Sequence, residues 1–352
     1  MLLRIAIGLK RRLVTTSFRC RLGRPGQFRP RLVAYLPQRQ QGWILDFLWR
    51  DLCDQLKRWQ GYSFGVAATP WSLWCQSRGT DLMVLAMSLD ALNALIGLGF
   101  PPERIVFYHT HVRLGLPVQK LDLLHAVLVL NGFERELIGM RKVKPSRIHC
   151  FPAGYDPALF SCPPFSKKRT IDVLFVGRYR RGMDGYYHKR KRYGFQIALA
   201  KRLVEQGRTV AFLGSDWDGC EYTLDSRVQI LNLPHSRYAS VYQNARIVCS
   251  VAAQEGGPVS FLEGLACGCL MVSAPTGFIS DLRLEDVACW TLPLVSSEQE
   301  WSESIEHLLQ TVQAPTKQQQ FERQRYLNAA EFSSLAHQLL KICWPSGSGG
   351  AE

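Results

Sequence analysis

The stretch Ser250-Val-Ala-Ala-Gln-Glu255-Gly256-Gly257-Pro258-Val-Ser-Phe-Leu-Glu263-Gly-Leu-Ala-Cys-Gly268 holds the residue types best suited to chemistry. It predicts a buried strand running into a glycine-rich loop, with Pro258 at the first helical position and a helix behind it. The N–H groups that open such a helix have no partner within it, so they can hold an anion or an oxygen-rich ligand. Glu255 falls on the loop, and Glu263 lies five residues beyond Pro258, about one and a half turns into the helix. Two acceptors thus flank one set of donors. That suits a polyol beside a diphosphate, because carboxylates accept from hydroxyls while amides and cations hold phosphates. A lone glutamate at a turn is ordinarily surface charge; the Gly-Gly-Pro context and the strand before it favour a ligand.

Two other positions supply charge and proton chemistry. Arg178 directly follows an apolar run ending in Gly177, where a strand-end guanidinium would meet phosphate. The basic residues after it also read as a solvated helix start, or as a nucleic-acid patch given Tyr186, Tyr187 and Tyr193 among them. Val106-Phe-Tyr-His109-Thr110-His111 brings imidazoles to the end of another predicted strand. Asn131, after Val127–Leu130, reads as a helix N-cap.

The elements that must carry these residues alternate strand and helix. Strands are expected at Leu32–Leu36, Leu82–Ala86, Ile105–Tyr108, Ala126–Leu130 and Ile148–Phe151, with a helix over Gly42–Trp59. The pattern breaks near Ser161-Cys-Pro-Pro-Phe-Ser and restarts, with strands at Val173–Val176, Val210–Leu213, Val228–Leu231, Ile247–Ser250 and Leu270–Ser273. Helices fit Arg192–Gln206, Arg237–Gln243, Val259–Cys267 and Glu298–Thr311, and Gln318–Ile342 is helical in pattern. The expectation is an α/β chain of two Rossmann-like parallel-sheet domains, residues 31–160 and 161–343, facing across a cleft. A basic arm, 1–30, precedes them, a loose tail, 344–352, follows, and the terminal helix is a candidate to return to the first domain.

Composition bounds the function. With 352 residues, 47% hydrophobic and 20% charged, the chain can build sizeable cores and is not disordered. No run of about 18 uncharged apolar residues suggests a spanning helix. Eleven cysteines stand singly, without CxxC pairs, which predicts reduced thiols, a cytoplasmic setting and no zinc site. Lys+Arg exceed Asp+Glu by 43 to 29. Ten basic residues precede the first acid, Asp46, and ten more lie between Arg178 and Arg208. The N-terminal block interleaves Leu2, Leu3, Ile5, Ile7, Leu9 and Leu13 with Arg4, Lys10, Arg11 and Arg12, and so suits peripheral contact with an anionic membrane face. It reads equally as a solvated arm, and poorly as a secretory signal.

Glu255 and Glu263 also stand at the E-x7-E spacing of retaining GT-B glycosyltransferases, and the sequence around them resembles glycosyltransferase family 4. The resemblance takes in Tyr242-Gln-Asn-Ala245, Ala266-Cys-Gly268 and Thr276-Gly277, the strand end Asp172-Val-Leu-Phe-Val-Gly177-Arg178, and the crossover Phe151-Pro-Ala-Gly154-Tyr-Asp156-Pro-Ala-Leu-Phe160. It is strong over about residues 147–280 and weak before them. It implies the GT-B fold, Glu255 against the transferred sugar, Glu263 on the ribose, and the Gly256-Gly257-Pro258 loop on sugar or phosphate. It further implies Arg178 and a following cation on the diphosphate. The insert Tyr179–His188 leaves that cation open between Lys189, Lys191 and Arg192, Lys191 being preferred. His109, with His111 in reserve, matches a histidine near the acceptor, and Gly42 matches a glycine loop whose usual Gly-Gly is absent. Phe278 and Asp281 replace a second glycine and an acid, and Cys269-Leu270 replaces a proline.

The implied reaction is retaining transfer of a sugar from a nucleotide-sugar to a glycan, lipid-linked or small-molecule acceptor, with no cofactor and no metal, since the sequence lacks an acidic ligand cluster. The alternatives are a basic nucleic-acid-binding protein, disfavoured because Arg178 sits at a strand end, and a non-catalytic scaffold of the same fold. A glycogen-synthase-like or phosphorylase-like use of the fold needs a longer first domain.

Overall fold

A computed structural model describes residues 22, 28–37, 44–110, 121–163, 168–180, 185–281, 287–312 and 314–345. Gly42, His111 and most of the basic arm lie outside the described residues. The chain divides into two compact units, one formed by Pro152 and what precedes it together with the segment from Phe332, the other by Ala153–Glu331.

Unit one contains six parallel strands: β1 (Pro30–Tyr35), β2 (Ser63–Ala67), β3 (Asp81–Ala86), β4 (Ile105–His109), β5 (Ala126–Val129) and β6 (Ile148–Cys150), ordered β2-β1-β3-β4-β5-β6. Every residue of β3, β4 and β5 is buried, as both faces of a parallel sheet require. Its helices are α1 (Ile44–Leu56), α2 (Pro70–Gln76), α3 (Leu89–Gly97) and α4 (Gly132–Gly139). Thr69, Ser88 and Asn131 cap the last three through side-chain oxygens.

Unit two repeats the scheme with β7 (Ile171–Val176), β8 (Val210–Leu213), β9 (Gln229–Leu231), β10 (Ala245–Ser250), β11 (Leu270–Ser273) and β12 (Cys289–Thr291), ordered β12-β11-β10-β7-β8-β9 and again parallel. Its helices are α5 (Gly185–Lys191), α6 (Tyr193–Glu205), α7 (Tyr238–Tyr242), α8 (Val259–Ala266), α9 (Glu298–Thr311) and α10 (Lys317–Ala330). The final helix, α11 (Phe332–Cys343), packs in unit one against α1, where Gln338 donates to the Cys150 carbonyl at 3.0 Å and Trp344 donates to Asp81 at 3.1 Å.

Four features differ from the sequence expectation or go beyond it. β2, α2 and α3 were not foreseen, nor was the three-residue β12. The helical pattern over Gln318–Ile342 is carried by two helices, because Glu331 turns extended (φ −63°, ψ 142°) and bridges to Tyr155. Pro258 is the N-cap of α8 rather than its first helical residue.

Strand order locates the ligand edge. In unit two the chain leaves β7 toward β8 and β9, then returns to place β10 on the other side of β7. The loops after β7 and β10 therefore diverge and open a crevice at the carboxyl edge, the place where open α/β sheets bind ligands.

Candidate active site

The loop after β7 is fixed by backbone contacts and packed rings. Gly177 N–H donates to the Leu213 carbonyl at 2.9 Å, while its own carbonyl accepts from the Trp217 indole at 2.7 Å. Gly214, at φ +143°, lies so close to Gly177 that any Cβ would collide with its carbonyl. Beneath this turn Tyr179, Tyr193, Phe212 and Trp217 pack with ring centroids 4.4–5.6 Å apart. The Tyr193 hydroxyl donates to the Arg178 carbonyl at 2.8 Å, so the backbone at Arg178 is pinned. Its guanidinium is not: it is 63% exposed and pairs with Asp216 from the loop after β8. That charge-assisted bond holds the Asp216 carboxyl below its usual range.

The insert after Arg178 folds as α5 and places its cations selectively. Arg190 O accepts from Ala253 N–H at 2.8 Å, docking α5 on the loop after β10. Lys191, the last residue of α5, makes an ion pair with Glu255 Oε1, and Arg190 Nη1 lies 3.8 Å from Oε2. Arg192 adopts the left-handed conformation between the two helices and stacks over Phe195 at 3.8 Å, where burial draws its guanidinium down. Lys189 is exposed. Of the three cations left open by the sequence, Lys191 is the one against Glu255; Arg190, not foreseen, joins it.

The Glu255–Pro258 loop is braced from behind. Gly277 (φ +61°) approaches so closely that a Cβ there would sit 2.5 Å from the Gly256 carbonyl and 2.8 Å from that of Glu255. Phe278 is buried against Phe261 of α8, 5.5 Å between centroids, which accounts for an aromatic residue at that position. α8 then starts without a side-chain cap, leaving its first amides to an outside acceptor. Its far end is served by two arginines: Arg169 donates to the Cys267 carbonyl and Arg323 to that of Cys269, each at 2.9 Å. Cations at this end complement the helix dipole. Arg323 is deeply buried, and desolvation lowers it to about 10.

Glu263, inside α8, has other company. It is 3% exposed; Oε1 accepts from His235 Nε2 at 2.6 Å and Oε2 from the Tyr242 hydroxyl at 2.8 Å. Burial and the neighbouring carboxylate push the Tyr242 phenol well above its ordinary value. Glu255 and Glu263 thus carry separate partner sets. Of its two partners, His235 reaches the surface, its side chain 37% exposed, while Tyr242 is fully buried.

In unit one, His109 ends β4 at the carboxyl edge and is buried, its Nδ1 3.3 Å from Glu134 Oε2. Asn131 accepts from Glu134 N–H at 2.8 Å, capping α4 as expected. Glu134 was missed by the sequence reading, although Asn131-x-x-Glu134 is the spacing of a capping box.

Comparison with known proteins agrees with this architecture. A family model described as Glycosyl transferase-like matches residues 190–341. A phosphatidylinositol N-acetylglucosaminyltransferase component of Arabidopsis thaliana is 25% identical over 195 residues, 52% of this chain and 42% of that protein, so the match spans less than half of that relative's length. The structure of Anabaena HepE in complex with UDP superposes with a TM-score of 0.64 at 13% identity, covering 89% of this chain and 98% of that one. Sucrose-phosphate synthase from Thermosynechococcus elongatus gives 0.67 at 14% identity, with the same coverage of 89% and 98%. Over residues 190–341 the chain is thus similar to group 1, GT4-like glycosyltransferases, and its two six-stranded parallel sheets have the GT-B-like fold of these structures.

Proposed function

We propose that this chain transfers a sugar from a nucleotide-sugar to a hydroxyl of a glycan, lipid-linked or small-molecule acceptor, with retention at the anomeric carbon and without a metal. The observation that carries the reading is the group at the β7–β10 crevice, in which Lys191 and Arg190 converge on Glu255 directly ahead of the uncapped start of α8. When a nucleoside diphosphate leaves, the charge that must be stabilised is on its phosphates. Lys191, Arg178, the Gly256-Gly257 amides and the first turn of α8 meet it. Glu255 holds hydroxyls of the transferred sugar, and Glu263 fixes His235 and Tyr242 at the ribose end. His109 orients the acceptor. The hydroxyl attacks from the face of the departing phosphate, which takes its proton.

HepE was solved with UDP and with UDP-glucose, so uridine nucleotides head the candidate donors. The Arabidopsis relative is named for phosphatidylinositol, which keeps a lipid acceptor on the panel. The internal pairing of Lys191 with Glu255 favours a compact ligand site over an open basic stripe for nucleic acid.

The test is a thermal-shift panel of UDP, GDP, ADP and their sugars, followed by turnover. A ligand at a hundred times its Kd adds about 2.7 kcal/mol of stability. Lys191→Met should weaken that effect about tenfold or more in affinity. Glu255→Ala, which releases Lys191, should keep diphosphate binding and lose about 10²–10³-fold in turnover. If no nucleotide shifts the transition at millimolar concentration while RNA or DNA binds with a steep salt dependence, the transferase reading is wrong.

A further inference from the structure

His109 and Glu134 form a second buried pair, on different elements of unit one but at the same edge of the sheet. His109 closes β4, and Glu134 lies in the first turn of α4, just after β5. His109 is 3% exposed and Glu134 0%. One carboxylate oxygen, Oε2, faces both Leu130 N–H at 3.1 Å and His109 Nδ1 at 3.3 Å. The outer atoms, His109 Nε2 and Glu134 Oε1, are buried with no hydrogen-bond partner among the described residues. Orphaned buried polar atoms are uncommon and call for a reason.

The chemistry of the inner contact decides the outer one. An ionised carboxylate only accepts. An oxygen already taking the Leu130 proton therefore takes the Nδ1 proton as well, and the neutral ring is left with a bare lone pair at Nε2. That lone pair matches a hydroxyl donor. In the other tautomer Nε2–H would donate, and a substrate oxygen could meet the ring only as an acceptor.

We propose that Glu134 is a positioning residue that fixes His109 in the Nδ1–H tautomer, so that Nε2 is held as an acceptor for a substrate hydroxyl other than the one that attacks. The substrate in this role comes from the transferase reading above; the tautomer itself does not depend on it.

The test uses the full-length chain with 15N-labelled histidine. His109 is picked out from the eight histidines by its loss in His109→Gln. Long-range 1H–15N spectra near neutral pH should place the proton on Nδ1 in the wild type. Glu134→Gln keeps an oxygen acceptor and should keep that tautomer and most of kcat. Glu134→Leu should move the proton to Nε2 and lower kcat about tenfold or more at unchanged donor KM. A wild-type ring protonated on Nε2 alone overturns the proposal, and so does Glu134→Leu with an unaltered tautomer. If Glu134→Leu does not fold, the wild-type spectrum and the rescue in Glu134→Gln still decide it. An Nδ1–H ring in a chain that turns over no nucleotide-sugar would overturn the transferase reading and leave the tautomer assignment standing.

Discussion

Glu255 and Glu263 are eight residues apart, at the two sides of one helix start, and the protein treats them in opposite ways. Glu255 faces Lys191 and Arg190, side chains 26% and 16% exposed, and is itself 14% exposed. Glu263 is closed in by an imidazole and a phenol, its partners chosen for hydrogen bonding rather than for charge. A carboxylate beside partly exposed cations can trade them for a phosphate ligand. One held by two directed donors inside a helix cannot be released without leaving those donors unpaired. The first arrangement is built to respond to a ligand, the second to hold shape.

The largest difference should appear in stability. Glu263→Leu takes the acceptor away from the Tyr242 hydroxyl and the His235 ring and puts an apolar side chain in its place, and the expected cost is about 2–4 kcal/mol in urea unfolding. Glu255→Leu unpairs two cations that are only partly buried and keep some access to water, and should cost less, about 1–2 kcal/mol. Equal losses in the two variants would break the contrast.

A smaller effect sharpens it at alkaline pH. The folded Tyr242 phenol titrates well above the ordinary value near 10 that it takes when unfolded. Above that value the unfolded chain loses its proton first, so this contribution is intact below about pH 10 and falls as pH rises toward the folded pKa. Tyr242→Phe should cost about 1 kcal/mol at pH 7 through the lost bond to Glu263, yet show a flatter decline between pH 10 and 11. Parallel pH profiles for the two proteins would mean that the phenol is not held as the structure places it.

How much of this was readable in the chain follows from the range of the interactions. Strands such as Leu82–Ala86 and Val210–Leu213 are buried on both faces and announce themselves as apolar runs. β2 escaped because it is an edge strand, mostly half-exposed, with Gly65 in its middle. The break at Glu331 carries neither glycine nor proline; its bridge to Tyr155, far away in sequence, sets it. The site divides in the same manner. Glu255, Gly256, Gly257, Pro258 and Glu263 share one strand–loop–helix unit whose grammar is local. Lys191 was one of three choices because the folded insert, through Arg190 and Ala253, decides which cation faces the loop. His235 and Asp216 come from separate segments after β9 and β8, and nothing near them in sequence says what they touch, while Glu134 carries only the local capping-box spacing and not its partner His109.

Arg178 offers the mildest perturbation and the most direct view of how cations are held for a ligand. Its backbone is locked by Tyr193, while its side chain is exposed and engaged by Asp216, itself on a loop whose backbone is left-handed at that residue (φ 71°). Exposed pairs of this kind contribute little to folding, because water and salt screen them. Asp216→Asn should therefore leave the melting temperature where it was. If Arg178 serves the diphosphate, losing its competitor should tighten binding of a nucleoside diphosphate by a few-fold, the modest gain expected of one screened charge. The gain should shrink as salt rises from 50 to 300 mM, a range over which the screening length falls below about 10 Å. Unchanged affinity at low salt would remove Arg178 from the phosphate site and leave that work to Lys191, Arg190 and the amides of α8.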